Sequence, residues 1–174
     1  MSFEFFKNLI DNKPGAIAEI GVYKGASAYA LAETFRDRTL HLFDTFTGMP
    51  ENDPAIDHHK KGDFSNTSIE EVKTKLQKFS NVLYYKGLFP ASAELAKNTL
   101  FAFINIDVDL YQSTIDCLNF FYPRLIIGGI ISVYDDYNFP NCKGATKAVN
   151  EFVEVNLLHL SKKGCSVYII KKRG

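Results

Sequence analysis

Short apolar runs recur along this chain, and between them the apolar positions repeat at helical spacing. Residues 16–20 (AIAEI), 39–43 (TLHLF), 82–86 (VLYYK), 101–106 (FAFINI) and 126–134 (IIGGIISVY) read as strands. Near-continuous apolar runs mark strands buried on both faces of a parallel sheet. A helix is expected from about Ser27, with Ala28, Leu31 and Phe35 on one face. A second has Ser68 as N-cap, Glu71 completing a capping box, and Ile69, Val72, Leu76 and Phe79 along its apolar face. A short helix is expected at 91–96. Another, over 113–122, carries Ile115, Leu118 and Phe121 up to Pro123. The last is marked by Ala145, Val149, Phe152 and Val153. Residues 157–161 and 166–170 form a closing antiparallel hairpin, with Lys162-Lys163-Gly164-Cys165 as its turn. Strands alternating with helices predict one α/β domain spanning 1–174.

The segment 47–67 breaks this rhythm. It has little periodicity and contains Pro50, Pro54 and the pair His58-His59. A structureless loop of about 20 residues inside a compact domain is usually an active-site lid or a disordered segment. It leaves the carboxyl end of the second strand, so the lid is the expected reading.

Carboxylates stand where the apolar runs stop. Asp107-Val108-Asp109 follows the fourth strand and Asp135-Asp136 the fifth. In open α/β folds, ligands bind at the rim formed by the carboxyl ends of the strands. Two carboxylates about 4 Å apart repel by about 4 kcal/mol at an effective dielectric of about 20, and a bound divalent cation would remove that cost. All-oxygen ligands suit Mg2+, Mn2+ or Ca2+ better than zinc or copper. Taken singly, each aspartate could equally be a strand-end cap or a solvated loop acid.

The first strand runs into Glu19-Ile20-Gly21-Val22-Tyr23-Lys24-Gly25-Ala26-Ser27. Two glycines bracket this strand-to-helix turn, and glycine allows both a tight bend and close approach of a ligand. A glycine turn that merely packs helix on strand would look the same. The spacing is neither a dinucleotide GxGxxG nor a P-loop. Glu19 can accept hydrogen bonds from a cationic or amino-bearing ligand. Asp44, ending the second strand, can accept both hydroxyls of a ribose. Together they suggest a nucleoside cofactor without a large phosphate demand, and S-adenosylmethionine fits.

Composition narrows the partners. Twenty basic residues balance twenty acidic ones in 174 residues, with 46% hydrophobic residues. That balance gives no reason to expect nucleic acid or an anionic membrane. Cys117, Cys142 and Cys165 lack CxxC spacing and read as reduced thiols of a cytoplasmic protein. No apolar stretch nears the roughly 20 residues of a membrane span, and the N-terminus lacks a signal-peptide layout. The oligomeric state stays open, a homodimer included.

A set of motifs then resembles one family. Glu19-x-Gly21-x-x-x-Gly25-x-Ser27, Phe43-Asp44-Thr45-Phe46-x-Gly48-x-Pro50, Lys86-Gly87-x-Phe89 and Ile106-Asp107-x-Asp109-x-Tyr111-x-Ser113-Thr114 come first. Tyr122-Pro123-Arg124-Leu125-x-x-Gly128-Gly129, Asp135-Asp136-Tyr137 and Lys147-Ala148-Val149-x-x-Phe152 follow. In this order they resemble the macrocin O-methyltransferase (TylF-like) family, over about residues 16–153. More loosely, 19–27 is similar to the catechol and caffeoyl-CoA O-methyltransferases. The resemblance implies a Rossmann-like class I methyltransferase fold, with a seven-stranded, mostly parallel sheet and a C-terminal antiparallel hairpin. It implies S-adenosylmethionine as methyl donor, Mg2+ as activating ion and a small hydroxylated acceptor such as a sugar or natural product. Gly21, Gly25 and Ser27 would line the methionine part of the cofactor, and Asp44 would hold its ribose. Glu19, Tyr23, Thr45, Phe46, Gly87 and Asp107 would complete its site. Asp107, Asp135 and Asp136 would bind the metal, and Asp109 would be the general base.

Two departures stand out. Val108 occupies a position where the family usually has glycine, and only about 15 residues precede the first strand. Tyr111 and Tyr137 could shape the acceptor pocket or be structural. His58 or His59 could supply another base from the lid, whereas His41 and His159, inside expected strands, look structural. Two rival functions remain. One is a non-catalytic S-adenosylmethionine-binding domain. The other is a metal-dependent phosphohydrolase, in which Asp-x-Asp would normally follow the first strand.

Overall fold

The computed structural model describes residues 2–133 and 137–172. In chain order the elements are α1 (Glu4–Ile10), β1 (Ala16–Ile20), α2 (Ala26–Thr34), β2 (Leu40–Asp44), α3 (Ile69–Leu76), β3 (Val82–Lys86), a 3-10 turn (Ala91–Ala96), β4 (Phe101–Ile106), α4 (Tyr111–Arg124), β5 (Leu125–Val133), α5 (Lys143–Val155), β6 (Leu160–Lys163) and β7 (Ser166–Ile170). The strands form one seven-stranded sheet of order β3-β2-β1-β4-β5-β7-β6. β1 to β5 pair in parallel, while β7 runs antiparallel to both β5 and β6. The mostly parallel sheet with its antiparallel hairpin is the expected architecture.

Helices cover both faces. On one face Phe6, Ile10, Leu31, Phe35, Val72 and Leu76 pack on Ile17, Leu42 and Phe103. On the other, Ala93, Leu118, Phe121, Val149 and Phe152 pack on Ala18, Phe43, Ile104 and Ile131. β4 is buried along its whole length, as its unbroken apolar run requires. Ser68 caps α3 by accepting from the Glu71 amide at 3.2 Å.

The chain lays down β1, β2 and β3 outward, then returns to place β4 on the other side of β1. This reversal opens a crevice beyond the carboxyl ends of β1 and β4, where α/β sheets bind ligands. The Asp107 amide donates to Ile20 O at 2.9 Å and the Gly21 amide to Phe43 O at 3.0 Å. The backbones leaving the three strands are therefore pinned together there.

Several boundaries differ from the sequence reading. α1 was not anticipated, although Phe3, Phe6 and Ile10 follow helical spacing. Phe3 and Phe6 pack on Phe103 with ring centroids 5.9 and 5.0 Å away. α4 begins at Tyr111 rather than 113 and passes through Pro123 to Arg124. Just beyond the proline the Leu125 amide donates to Tyr122 O and closes the helix. The hairpin turn is Gly164-Cys165 alone. Lys163 pairs with Ser166, so Lys162 and Lys163 belong to β6, and Leu157 and His159 precede it. Two-residue connections suit the twist of antiparallel strands. Among the described residues no helix is long and apolar enough to cross a membrane.

His41 is structural, as expected. Its ring stacks on Tyr85 and meets Phe101 edge-on, with Nδ1 2.9 Å from the Tyr85 hydroxyl. Burial pushes its pKa down to about 4. Between that value and an ordinary histidine value near 6.5 the unfolded chain binds a proton that the folded one refuses, so stability falls as pH falls through this window. His41→Phe should flatten that acid limb. Thermal melts from pH 7 to pH 4 should show wild type losing more Tm than the variant, and parallel curves would refute the assignment.

Candidate functional site

A cavity of about 1270 Å³ opens at the crevice between β1 and β4. Its wall includes Gly21, Tyr23, Ser27, Asp44, Thr45, Gly87, Asp107 and Asp109. The fold thus gathers most of the expected site residues from the ends of four different strands. Asp135 and Asp136 lie outside the described residues.

Gly21 has φ +85°, and a Cβ there would stand 1.8 Å from the carbonyl oxygen of Asp107. No side chain fits, so the turn after β1 can approach both β4 and a ligand closely. Asp44 holds the turn in shape. Its Oδ2 accepts from the Val22 and Tyr23 amides at 2.7 and 2.9 Å, and its Oδ1 from the Phe46 amide at 2.6 Å. An ionised carboxylate offers roughly four acceptor positions. Three are used by backbone, so any ligand hydroxyl would share the remainder. Asp44 is therefore also the brace of the glycine turn, a role its spacing did not disclose.

Glu19, Gly25 and Phe46 stand behind the wall rather than on it. Gly25, at φ +70°, caps α2, and a Cβ there would sit 3.2 Å from Val72, so it seats α2 against α3. Phe46 is buried in the core beneath the start of the lid. Glu19 is fully buried, below Ser27. Its Oε1 accepts from Asn105 Nδ2 at 3.1 Å, the Ser27 hydroxyl lies beside the carboxyl, and Oε2 has no close hydrogen-bond partner among the described residues. Burial pushes its pKa up to about 8. Asp107 and Asp44 add to the rise, and Ser27 and Asn105 oppose it. At neutral pH Glu19 is a neutral acid, with Oε2 available to carry the proton. It pairs in register with Asn105 and, through it, with Ser132, making a buried polar row across β1, β4 and β5.

The loop 47–67 covers the rim and is tied down at several points. Thr45 Oγ1 donates to Gly48 O at 2.7 Å, and the Met49 and Gly62 amides bond across the loop. The Tyr23 hydroxyl donates to Asn66 Oδ1 at 2.7 Å. Buried Asp57 is the deepest anchor. Its Oδ1 accepts from the Tyr111 amide at 2.8 Å, capping α4 from a distant part of the chain. A Cβ on Gly144 would fall 1.9 Å from that same oxygen, so glycine at the start of α5 makes room for the clamp. His59 lines the cavity, whereas His58 faces solvent. Tyr137 also lines it. Tyr111 instead turns to α5, where its hydroxyl donates to Glu151 at 2.7 Å.

Asp109 sits at φ +59°, a left-handed conformation that aspartate adopts more readily than most residues. The Cys142 thiol donates to its Oδ1 at 3.0 Å. The sequence assigns no site role to Cys142 or to Asp57 within the expected lid, and no local spacing signals either contact. Val108 lines the cavity too, with Cγ1 close over Gly21.

Two outcomes follow. Gly144→Ala should displace Asp57, lower stability by about 1–3 kcal/mol and raise hydrogen exchange selectively across 47–67; unchanged exchange there would refute the clamp. For Glu19, the folded state keeps a proton that the unfolded state releases between about pH 4.5 and 8, so stability declines as pH rises through that window, by up to about 1.4 kcal/mol per unit. Glu19→Gln should abolish this decline, measured as Tm against pH.

Comparison with known proteins agrees with this fold. The chain is 30% identical over 151 residues to demethyldecarbamoylnovobiocin O-methyltransferase of Streptomyces niveus, covering 78% of this chain and 58% of that protein. It is 30% identical over 162 residues to mycinamicin III 3''-O-methyltransferase of Micromonospora griseorubida, covering 83% and 62%. The chain thus spans about three fifths of the length of these curated relatives. Among solved structures it superposes on the O-methyltransferase NovP with TM-score 0.84 at 27% identity, over 98% of this chain and 79% of that one. The calicheamicin methyltransferase CalS11 shares the fold at TM-score 0.80 and 20% identity, over 97% and 76%. The sheet order is thus that of the class I methyltransferase fold. With the family's sequence model matched from residue 6 to residue 162, the chain belongs to the macrocin-O-methyltransferase (TylF) family.

Proposed function

We propose that this chain is an S-adenosylmethionine-dependent, divalent-metal-assisted O-methyltransferase acting on a hydroxyl of a sugar or other small natural product. The observation that carries the proposal is the cavity itself. It brings the Gly21 turn, Asp44, Asp107 and Asp109 onto the wall of one space. The relatives' names, which specify methylated hydroxyls of natural products, support the same reading.

The residues present fit the cofactor. The side-chain-free surface at Gly21 admits close approach, Ser27 offers a hydroxyl at the wall, and Asp44 retains acceptor capacity for ribose. Tyr23, Thr45 and Gly87 would complete the contact surface, while Glu19, Gly25 and Phe46 would act from behind by holding the wall in place. Bound S-adenosylmethionine supplies a methyl group activated by a positively charged sulfur. Asp107, with Asp135 and Asp136, would offer only oxygen donors, which suit a hard ion such as Mg2+. Such an ion supplies Lewis-acid stabilisation of negative charge on the acceptor oxygen.

Asp109 takes the proton of the acceptor hydroxyl as the oxygen–carbon bond forms and the carbon–sulfur bond breaks. Its backbone conformation and the Cys142 contact hold the carboxylate at the cavity wall. The lid, anchored through Asp57, limits water around the reacting groups, and alignment of oxygen, methyl carbon and sulfur supplies much of the rate.

Calorimetry and release of S-adenosylhomocysteine test this together. Wild type should bind S-adenosylmethionine and release S-adenosylhomocysteine with a hydroxylated acceptor library and Mg2+. Asp109→Asn should lower kcat by about 10²–10⁴-fold while leaving cofactor affinity nearly unchanged. Cofactor binding without turnover on any acceptor would instead establish a non-catalytic binding domain.

A further inference from the structure

The donor atoms of His59, Asp109 and Cys142 all lie within 4.8 Å of one another at the cavity wall. They come from three separate segments: the lid, the loop after β4 and the residue preceding α5. We propose that they form a binding site for a transition-metal dication of the zinc class, separate from the all-oxygen set built on Asp107.

The chemistry of the donors selects the ion. A thiolate and an imidazole favour borderline metals such as Zn2+ or Co2+, whereas Asp107, Asp135 and Asp136 favour hard ones. Zinc bond lengths of about 2.0–2.3 Å set tetrahedral ligand edges of about 3.3–3.7 Å. The trio therefore closes on an ion with side-chain shifts of about 1 Å. The Cys142 thiol already donates to Asp109 Oδ1 at 3.0 Å. A cation would take the place of that shared proton, releasing one proton for each ion bound.

His59 supplies the second observation. Its Nδ1 lies 3.5 Å from Asp63 Oδ2. Metal-binding histidines commonly give one ring nitrogen to a carboxylate, which fixes the tautomer and leaves the other nitrogen for the metal. Engagement of Nδ1 by Asp63 would leave Nε2 for the ion. Three protein ligands leave a fourth position, open toward the cavity for water or a ligand heteroatom. Occupancy would also tie the lid to the start of α5 and engage Asp109. That last consequence rests on the proposed base role of Asp109; the site itself does not.

Cobalt reads the site directly. Co2+ is titrated into the full chain in excess Mg2+, and the thiolate-to-cobalt charge-transfer absorption is followed, a signal that needs no methyl acceptor. One ion per chain should give the band. Cys142→Ser should abolish it and Cys165→Ser should leave it, which separates the buried thiol of Cys142 from the exposed thiol of Cys165 at the same cavity. His59→Ala, a change on the surface loop, should weaken Co2+ binding by about tenfold or more. Absence of the band, its survival in Cys142→Ser, or unaltered affinity in His59→Ala would overturn the site. None of these outcomes bears on whether the protein transfers methyl groups.

Discussion

A single methyl group at residue 21 would stand 1.8 Å from the backbone oxygen of Asp107, and much of the site depends on that contact staying empty. Because residue 21 is glycine, the chain leaving β1 passes directly against the chain leaving β4. The turn after β1 and the loop that carries Asp107 and Asp109 therefore share one wall. Asp44 completes the arrangement by gathering the Val22, Tyr23 and Phe46 amides on one carboxylate. A buried backbone amide left unpaired would cost about 1–3 kcal/mol, so Asp44 holds the turn closed as well as facing the cavity.

Beneath this wall the sheet contains polar groups where the pattern of its neighbours calls for apolar ones. Glu19, Asn105 and Ser132 are fully buried in adjacent strands, and each has a side-chain oxygen without a hydrogen-bond partner among the described residues. An ionised carboxylate there would be expensive, and the raised pKa of Glu19 is the expected escape. Glu19 resembles a ligand-binding acid when the chain is read linearly. In three dimensions it is fully buried, with Ser27 and Asn105 beside it.

The loop 47–67 shows how one distant contact can settle several features. The Asp57 carboxylate caps α4 through the Tyr111 amide and occupies the space left by Gly144. It therefore joins the loop after β2 to the starts of two helices on the far side of the sheet. This fixes His59 toward the cavity, near Asp109 and Cys142. It also explains why α4 starts two residues earlier than its own sequence suggests: the cap that satisfies its first turn comes from Asp57, not from a neighbouring serine or threonine.

Sheet and helix patterning was legible because burial on a strand or helix imposes a local period. Runs such as 101–106 and the Ile69, Val72, Leu76 face carry that period in plain view, and so do the acids at strand ends. The conformational demand at Gly21 and the placement of Asp44 and Asp107 on one rim follow from the strand-to-helix pattern alone. Tertiary structure decided what no local period encodes. It turned Glu19, Gly25 and Phe46 away from the cavity, sent Tyr111 to α5, made Asp57 a helix cap and brought Cys142 to Asp109. Each of these depends on contacts between segments far apart in the chain, where side-chain direction and the space left by a neighbour, rather than residue type or spacing, determine which groups meet.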